Sequence, residues 1–396
     1  MSIFSQFSLA KKKDELVLVF DIGSSSVKAA LFYMQKSGIP KIITSVREPI
    51  LLEDKIEISR FLSLTLKALE IAAGKIHAKA LGAPARIFCV FSSPWQVSHT
   101  RIIHLEKNTP FVFSSKLADT LIQKEISLLK EEYLKQYPHI DNSLRLIELK
   151  NIQIRLNGYE TSEPLNKKTK EVEMTVFISM SEEQVCKKIE ETINKYFHGK
   201  TIKFSPFTFT CFTVVRDLFP ERENFLLVNI GGEITDISMI KQSALRESIS
   251  FPLGINFMIR SVAARMASSL SEAKSLISLV KDGHAGQSTA KSLEPEIEKL
   301  KSEWLAKFQE SLANLSSDIS IPAFIYITVD KDLADFFAEV IKTEQFNQYT
   351  LTESKFQIFF LNVQNLHDTA VFDKDAMWNA FLAIDSGYIN RFLNKI

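Results

Sequence analysis

Two stretches of the chain carry one pattern of apolar and polar positions. In LVLVFDIGSSSVKAALF (residues 16–32) an apolar run meets an acidic residue, then a turn of small residues, then alternating apolar positions. LLVNIGGEITDISMI (226–240) repeats this with an amide in place of the acid. The pattern predicts strand, tight turn, strand in both places. Aligned at their polar heads, Asp21 matches Asn229, Gly23 matches Gly231, Ser24 matches Gly232 and Lys28 matches Asp236. A turn of Gly, Ser and Thr presents backbone N–H groups and hydroxyls to an anion with no bulk in the way. Two such hairpins predict two related domains gripping one phosphate chain from opposite sides.

Periodicity fills in the rest. A third strand is predicted near 41–46. A helix is predicted over 58–80 from Phe61, Leu64, Leu66, Ala68, Leu69 and Ala72, ending near Gly82 and Pro84. From Arg86 the character changes. ARIFCVFSSP reads as a strand ending at Pro94, VSHTRIIHLE alternates like another, and 117–133 is helical. Residues 144–156 are strand-like, 157–170 form a polar loop, and EVEMTVFISM is a strand. Ser181-Glu-Glu-Gln184 has the form of a capping box for the helix that follows. Residues 86–198 therefore read as a small α+β block inserted into the first domain. After the second hairpin, Gly254 closes a strand and a helix begins. Residues 282–318 are polar and helical, SIPAFIYITVD is a buried strand, 332–341 is a helix, FQIFFLNV is a strand, and 375–395 is the closing helix.

Composition narrows the class. A chain of 396 residues exceeds one ordinary core, so two or more domains are expected. Hydrophobic content of 45% and charged content of 24% are those of a folded soluble protein, and a net charge of +1 gives no reason to expect nucleic acid. Cys89, Cys186 and Cys211 sit in apolar segments and read as reduced core residues of a cytosolic protein. No apolar run approaches the roughly 20 residues that cross a bilayer, and Lys11, Lys12 and Lys13 interrupt any secretory signal. Thirty phenylalanines are many and read as core filling.

The order of parts resembles the actin-like ATPase superfamily, and within it the bacterial FtsA/PilM branch. The elements that carry this are a DxGSSxxK hairpin, an inserted α+β block, a (D/N)xGGxxTD hairpin and a PLG-then-helix segment. The phrase LNGYETSEPLNKKTKEVEMTVFIS is similar to FtsA; the Phe-containing tail, lysine cluster and DIGSSSVK are similar to PilM. The resemblance runs from residue 16 over nearly the whole chain and is weak for 280–370. It implies an α/β, two-lobed actin-like (ribonuclease H-like) fold. Residues 1–14 would be a tail, 15–85 and 199–221 the first lobe, and 86–198 the inserted subdomain. Residues 222–374 would be the second lobe, with a short helical insertion near 282–318, and 375–396 the closing helix. It further implies a cleft for ATP and Mg²⁺. Asp21 would hold Mg²⁺ through water. Gly23, Ser24 and Ser25 would offer donors to the β- and γ-phosphates, and Lys28 would neutralise their charge. Asn229, Gly231, Gly232, Thr235 and Gly254 would form the opposing side.

The sequence departs from that pattern. Asn229 replaces a common Asp, so metal affinity falls. Glu233 replaces a common glycine and would repel phosphate by roughly 4 kcal/mol at about 4 Å. Either it points away, or a cation lies on it, or triphosphate binds poorly. In place of the family's ribose-gripping AExxK stand Ala273, Lys274 and Ile277. Val329-Asp330-Lys331 replaces a Gly-Gly turn, so the flat approach to adenine is lost. A weak or absent ATPase is expected.

No Walker A, GxGxxG or HExxH motif occurs. His99 and His104 have odd spacing on a strand and fall on opposite faces, which argues against a metal pair. EPEIEKLKSEWLAKFQESL reads as a solvated surface helix, or else as a partner or filament contact. Ile3, Phe4 and Phe7 followed by three lysines could touch a bilayer, but a disordered tail is the favoured reading. The resemblance implies a cytoplasmic scaffold peripheral to the membrane. It would link a tubulin-like division filament to the membrane, with nucleotide as a clamp and self-polymerisation open to it. The alternatives are a PilM-like platform of type IV pilus or secretion assembly that binds the cytoplasmic tail of a membrane protein, an active ATPase or kinase of the same superfold, and an empty pseudo-ATPase.

Overall fold

The computed structural model describes residues 15–35, 38–136, 143–281, 284–315, 320–329, 334–343, 356–362 and 364–394. The expected tail and the Asp330-Lys331 turn lie outside them. Along the chain run β1 (Leu16–Ile22), β2 (Ser26–Tyr33), β3 (Lys41–Pro49), α1 (Ile58–Ala78) and β4 (Arg86–Phe91). Then come β5 (Val97–Val112), α2 (Ser115–Gln136), β6 (Leu144–Leu156), β7 (Tyr159–Glu160), β8 (Lys168–Glu182) and α3 (Glu183–Asn194). β9 (Ile202–Pro206) and α4 (Phe207–Leu218) precede β10 (Phe225–Ile230), β11 (Thr235–Lys241), β12 (Ala244–Phe251), α5 (Ile255–Met266), α6 (Leu270–Lys281) and α7 (Gln287–Leu315). The chain continues through β13 (Phe324–Val329), α8 (Ala334–Thr343), β14 (Gln357–Phe360), β15 (Val371–Phe372) and α9 (Ala380–Asn394).

One topology is built twice. The first sheet has the order β15-β3-β2-β1-β4-β9 and the second β12-β11-β10-β13-β14. In each, three strands meander antiparallel and two more add in parallel beside the first. β1, β2 and β10 are covered on both faces, which is why they read as nearly continuous apolar runs. α4 and α9 pack on each other and share a core with Val17, Val19, Ala30 and Phe32 of the first sheet and Phe225, Leu227 and Tyr326 of the second. The other face of the first sheet packs on α1 and α3, and that of the second on α5, α6 and α7. The third sheet, β5-β8-β6-β7, lies within the inserted residues and packs on α2. Its β5 and β6 also touch β12, so the insertion braces one lobe against the other.

Four expectations change. The inserted block is shorter than the expected 86–198: β4 pairs in parallel with β1 inside the first sheet, and α3 packs in the first-lobe core through Val185, Cys186, Ile189 and Ile193. Ser181 caps no helix: Glu182 holds the N-cap position without a side-chain bond, while Ser181, still in β8, donates to the Trp95 carbonyl at 2.6 Å. The charged segment near 282–318 is more than a solvated face. Trp304, Phe308 and Leu312 of α7 are fully buried in the second-lobe core, because one apolar stripe runs beneath the charged positions. Residues 371–372, expected in the second lobe, pair in parallel with Lys41 and Ile42 and so belong to the first sheet.

Candidate functional site at the paired turns

The repeated pattern becomes a repeated geometry. Asp21 stands opposite Lys28 across β1 and β2, and Asn229 opposite Asp236 across β10 and β11, so the matched positions Asp21 and Asn229, and Lys28 and Asp236, hold equivalent places. Each turn closes on itself. Gly23 N–H donates to the Ser26 carbonyl at 3.2 Å and Gly231 N–H to that of Ile234 at 2.9 Å. The two turns also meet. Glu233 N–H donates to Ser24 Oγ at 3.0 Å. A Cβ on Gly232 would lie 2.7 Å from the Ser24 carbonyl oxygen, and one on Gly231 would lie 3.0 Å from Ser24 Oγ. Glycine is required here by contact between lobes, and that contact leaves no room for a phosphate between Ser24 and Gly232. Ser25 lies beside it, its carbonyl accepting Ile50 N–H at 3.0 Å.

Gly254 serves the second turn from behind. Its absent side chain lets α5 begin against the turn, since a Cβ would stand 2.4 Å from the Gly232 carbonyl oxygen. Ile255 N–H then donates to the Gly231 carbonyl at 3.0 Å and Asn256 N–H to that of Gly232 at 2.7 Å. A helix N-terminus attracts anions through its free N–H groups. These two are taken up by the protein's own carbonyls.

Glu233 turns toward α5 and carries a cation. Arg260 grips its carboxylate through Nη1 and Nη2, both at 2.7 Å, and Asn256 Nδ2 donates to it at 2.7 Å. Arg260 Nε also donates to the Glu53 carbonyl of the first lobe at 2.8 Å, so one guanidinium ties the second turn to the β3–α1 connection. Asn256 and Arg260 are four apart and share a helix face. The sequence held that signal, but nothing in it named Glu233 as their target.

Lys28 is buried. Its Nζ donates to Asp21 Oδ2 at 2.8 Å, and the Phe381 ring of α9 lies 4.0 Å away from it, centroid to nitrogen. Phe207, first residue of α4, packs on Phe381 with centroids 5.1 Å apart. Beside them Asp385 of α9 is completely buried and accepts from Thr210 Oγ1 at 3.3 Å through one oxygen, while the other has no hydrogen-bond partner. Burial, and then the Asp21 charge, push the Asp385 carboxyl well above its usual range, against Lys28 and Thr210.

On the second lobe, Asp236 Oδ1 accepts from Ser93 Oγ at 2.7 Å, across the lobes, and from Ser250 Oγ at 2.6 Å. Its Oδ2 accepts from Asn229 Nδ2 at 3.3 Å, and Asn229 Oδ1 accepts from Thr328. Burial raises the Asp236 carboxyl, and these hydroxyl and amide donors oppose the shift. Thr235 is one residue off in strand parity and faces the other way. Its hydroxyl donates to the Leu253 carbonyl at 2.7 Å and accepts from the Trp304 indole inside the second-lobe core, so it does not face the gap. Ala273 and Ile277 are buried in that same core, and Lys274 is exposed, so the three positions form no ribose grip.

A recess between the lobes is lined by Phe207, Thr208, Asn229, Asp236, Tyr326 and Thr328, among others; neither Asp21 nor Lys28 reaches it. It encloses about 10 Å³, roughly the room of one water molecule and far less than a small ligand fills.

No protein-family model matches the sequence, and no curated protein matches it. Solved structures match its fold. A chain of the PilM–PilN type IV pilus biogenesis complex superposes with a TM-score of 0.61 at 13% identity, covering 95% of this chain and 97% of that one. The fold is that of the actin-like ATPases. Looser likenesses include the ethanolamine utilization protein EutJ from Carboxydothermus hydrogenoformans (TM-score 0.42, 10% identity, 94% and 88% covered). Another is a Bacteroides thetaiotaomicron protein with an actin-like ATPase fold and unknown function (0.38, 8%, 88% and 91%).

The arrangement does not fit ATP with Mg²⁺. The turns touch where phosphates would lie, the lysine is paired and capped, and the helix N-terminus is occupied. Among the described residues no three His, Cys, Asp or Glu side chains come together as a metal site.

Proposed function

We propose that this protein is a structural platform of the PilM kind, which holds a short segment of a membrane-anchored assembly protein at the cytoplasmic face and turns over no nucleotide. One observation carries the reading: the end-to-end match to a chain of a complex whose name joins PilM to a protein partner. The site geometry supports it, since the lobes are fastened together by Ser24–Glu233, Ser93–Asp236 and Arg260–Glu53 contacts rather than held apart around a ligand. The pilus-platform reading is thereby favoured over the division-filament tether and over an active ATPase or kinase. Among the described residues no helix is long and apolar enough to cross a membrane; in this reading attachment comes through the partner.

The test is titration of the full chain with a synthetic peptide from the cytoplasmic tail of the PilN-type protein of the same organism. A scrambled peptide serves as control. Saturable binding at micromolar Kd or tighter is expected, with no phosphate release from ATP. Co-pelleting with a tubulin-like polymer and indifference to the peptide would return the division-filament reading.

A further inference from the structure

We infer that the protein's own groups stand in for nucleotide phosphates at the paired turns, with Phe381 and Asp21 occupying Lys28, so that the lobes close without MgATP. The inference is independent of which partner the platform holds, because it concerns what joins the lobes.

An anion cradle between two lobes needs a free cation, free N–H donors and a shared gap. The cation is engaged from within, as are the N–H groups of Gly23, Gly231, Glu233, Ile255 and Asn256, and Ser24 meets Gly232 across the gap. The Lys28 ammonium has the Asp21 carboxylate at 2.8 Å and the Phe381 ring at 4.0 Å, and is 3% exposed. The contacts run from the recess to Phe207, from Phe207 to Phe381, and from Phe381 to Lys28, so on this side two rings stand between the cation and the recess. An aromatic face attracts an ammonium through its quadrupole, and more strongly when water is excluded. The N–H of Glu233 is engaged by Ser24, and those of Ile255 and Asn256 by the second turn. Glu233 already has its cation in Arg260. Asp21 is paired with Lys28 and Glu233 with Arg260, while Asp236 is held by two hydroxyls and an amide. A polyphosphate entering here would strand Asp21 and meet the ring before the cation.

Two probes separate the cradle from the base site, since loss of the ribose grip alone would also weaken ATP. Calorimetry and thermal unfolding of the full chain are run with about 5 mM MgATP and with about 5 mM magnesium tripolyphosphate, which needs the cradle only. No binding heat and no shift of the unfolding midpoint are expected with either. Lysine acetylation read by mass spectrometry is run alongside. Lys28 should stay unmodified while exposed lysines react, equally with and without MgATP. A saturable Kd tighter than ~1 mM for either probe overturns the inference. So does a Lys28 that reacts in the free protein and is protected by the probe. Peptide binding in the platform assay bears on neither outcome.

Discussion

Replacing Arg260 with alanine removes the counter-ion of the second turn. Glu233 is 7% exposed, and its side chain has Arg260 and Asn256 as partners. Breaking a buried pair from one side costs about 3–5 kcal/mol, because the remaining charge is left without compensation. Arg260 keeps 19% of its side chain exposed, so water can replace part of the loss, and the cost belongs at the lower end, about 3 kcal/mol. That is roughly a hundredfold in the folded-to-unfolded ratio. The lost bond to the Glu53 carbonyl weakens the lobe junction as well. The assay is urea unfolding followed by far-UV circular dichroism, comparing Arg260→Ala, Glu233→Gln and the double variant. The double variant should be clearly more stable than the sum of the single losses implies, since no unpaired charge remains in it. An Arg260→Ala protein within about 0.5 kcal/mol of the parent, or strictly additive losses, would refute the buried-pair argument.

Gly254→Ala should lose at least ~2 kcal/mol, because its methyl group meets backbone oxygens of both Gly231 and Gly232 rather than a movable side chain; a thermal midpoint unchanged from the parent would contradict this. Asp385 offers a pH test. A carboxyl raised in the folded state contributes stability that is fully present below its unfolded pKa and is lost as pH rises through the folded one. The parent should therefore lose stability relative to Asp385→Asn as pH rises above the ordinary carboxylate range, and urea midpoints at pH 5 and pH 9 that move in parallel would count against it.

The two-hairpin frame was legible in the chain because strand alternation is local. Apolar runs broken by Asp21-Ile-Gly and Asn229-Ile-Gly state where each strand ends, and the matched heads state the register. The inserted strands were legible for the same reason. Ser181 was misread because a capping signature is equally a strand end, and which it becomes depends on the Trp95 carbonyl placed opposite. The polar surface of α7 hid Trp304 and Phe308, which become core only once the second sheet lies beneath them.

The sequence by itself determined the repeat, the small-residue turns and the cost of Glu233 beside a phosphate, since each follows from residue type and short-range spacing. Tertiary structure decided that Lys28 faces Phe381 from the last helix, that Glu233 finds Arg260, and that the two turns touch. Partners so far apart in sequence are brought together by the packing of α4 and α9 between the sheets, and no local pattern encodes that distance.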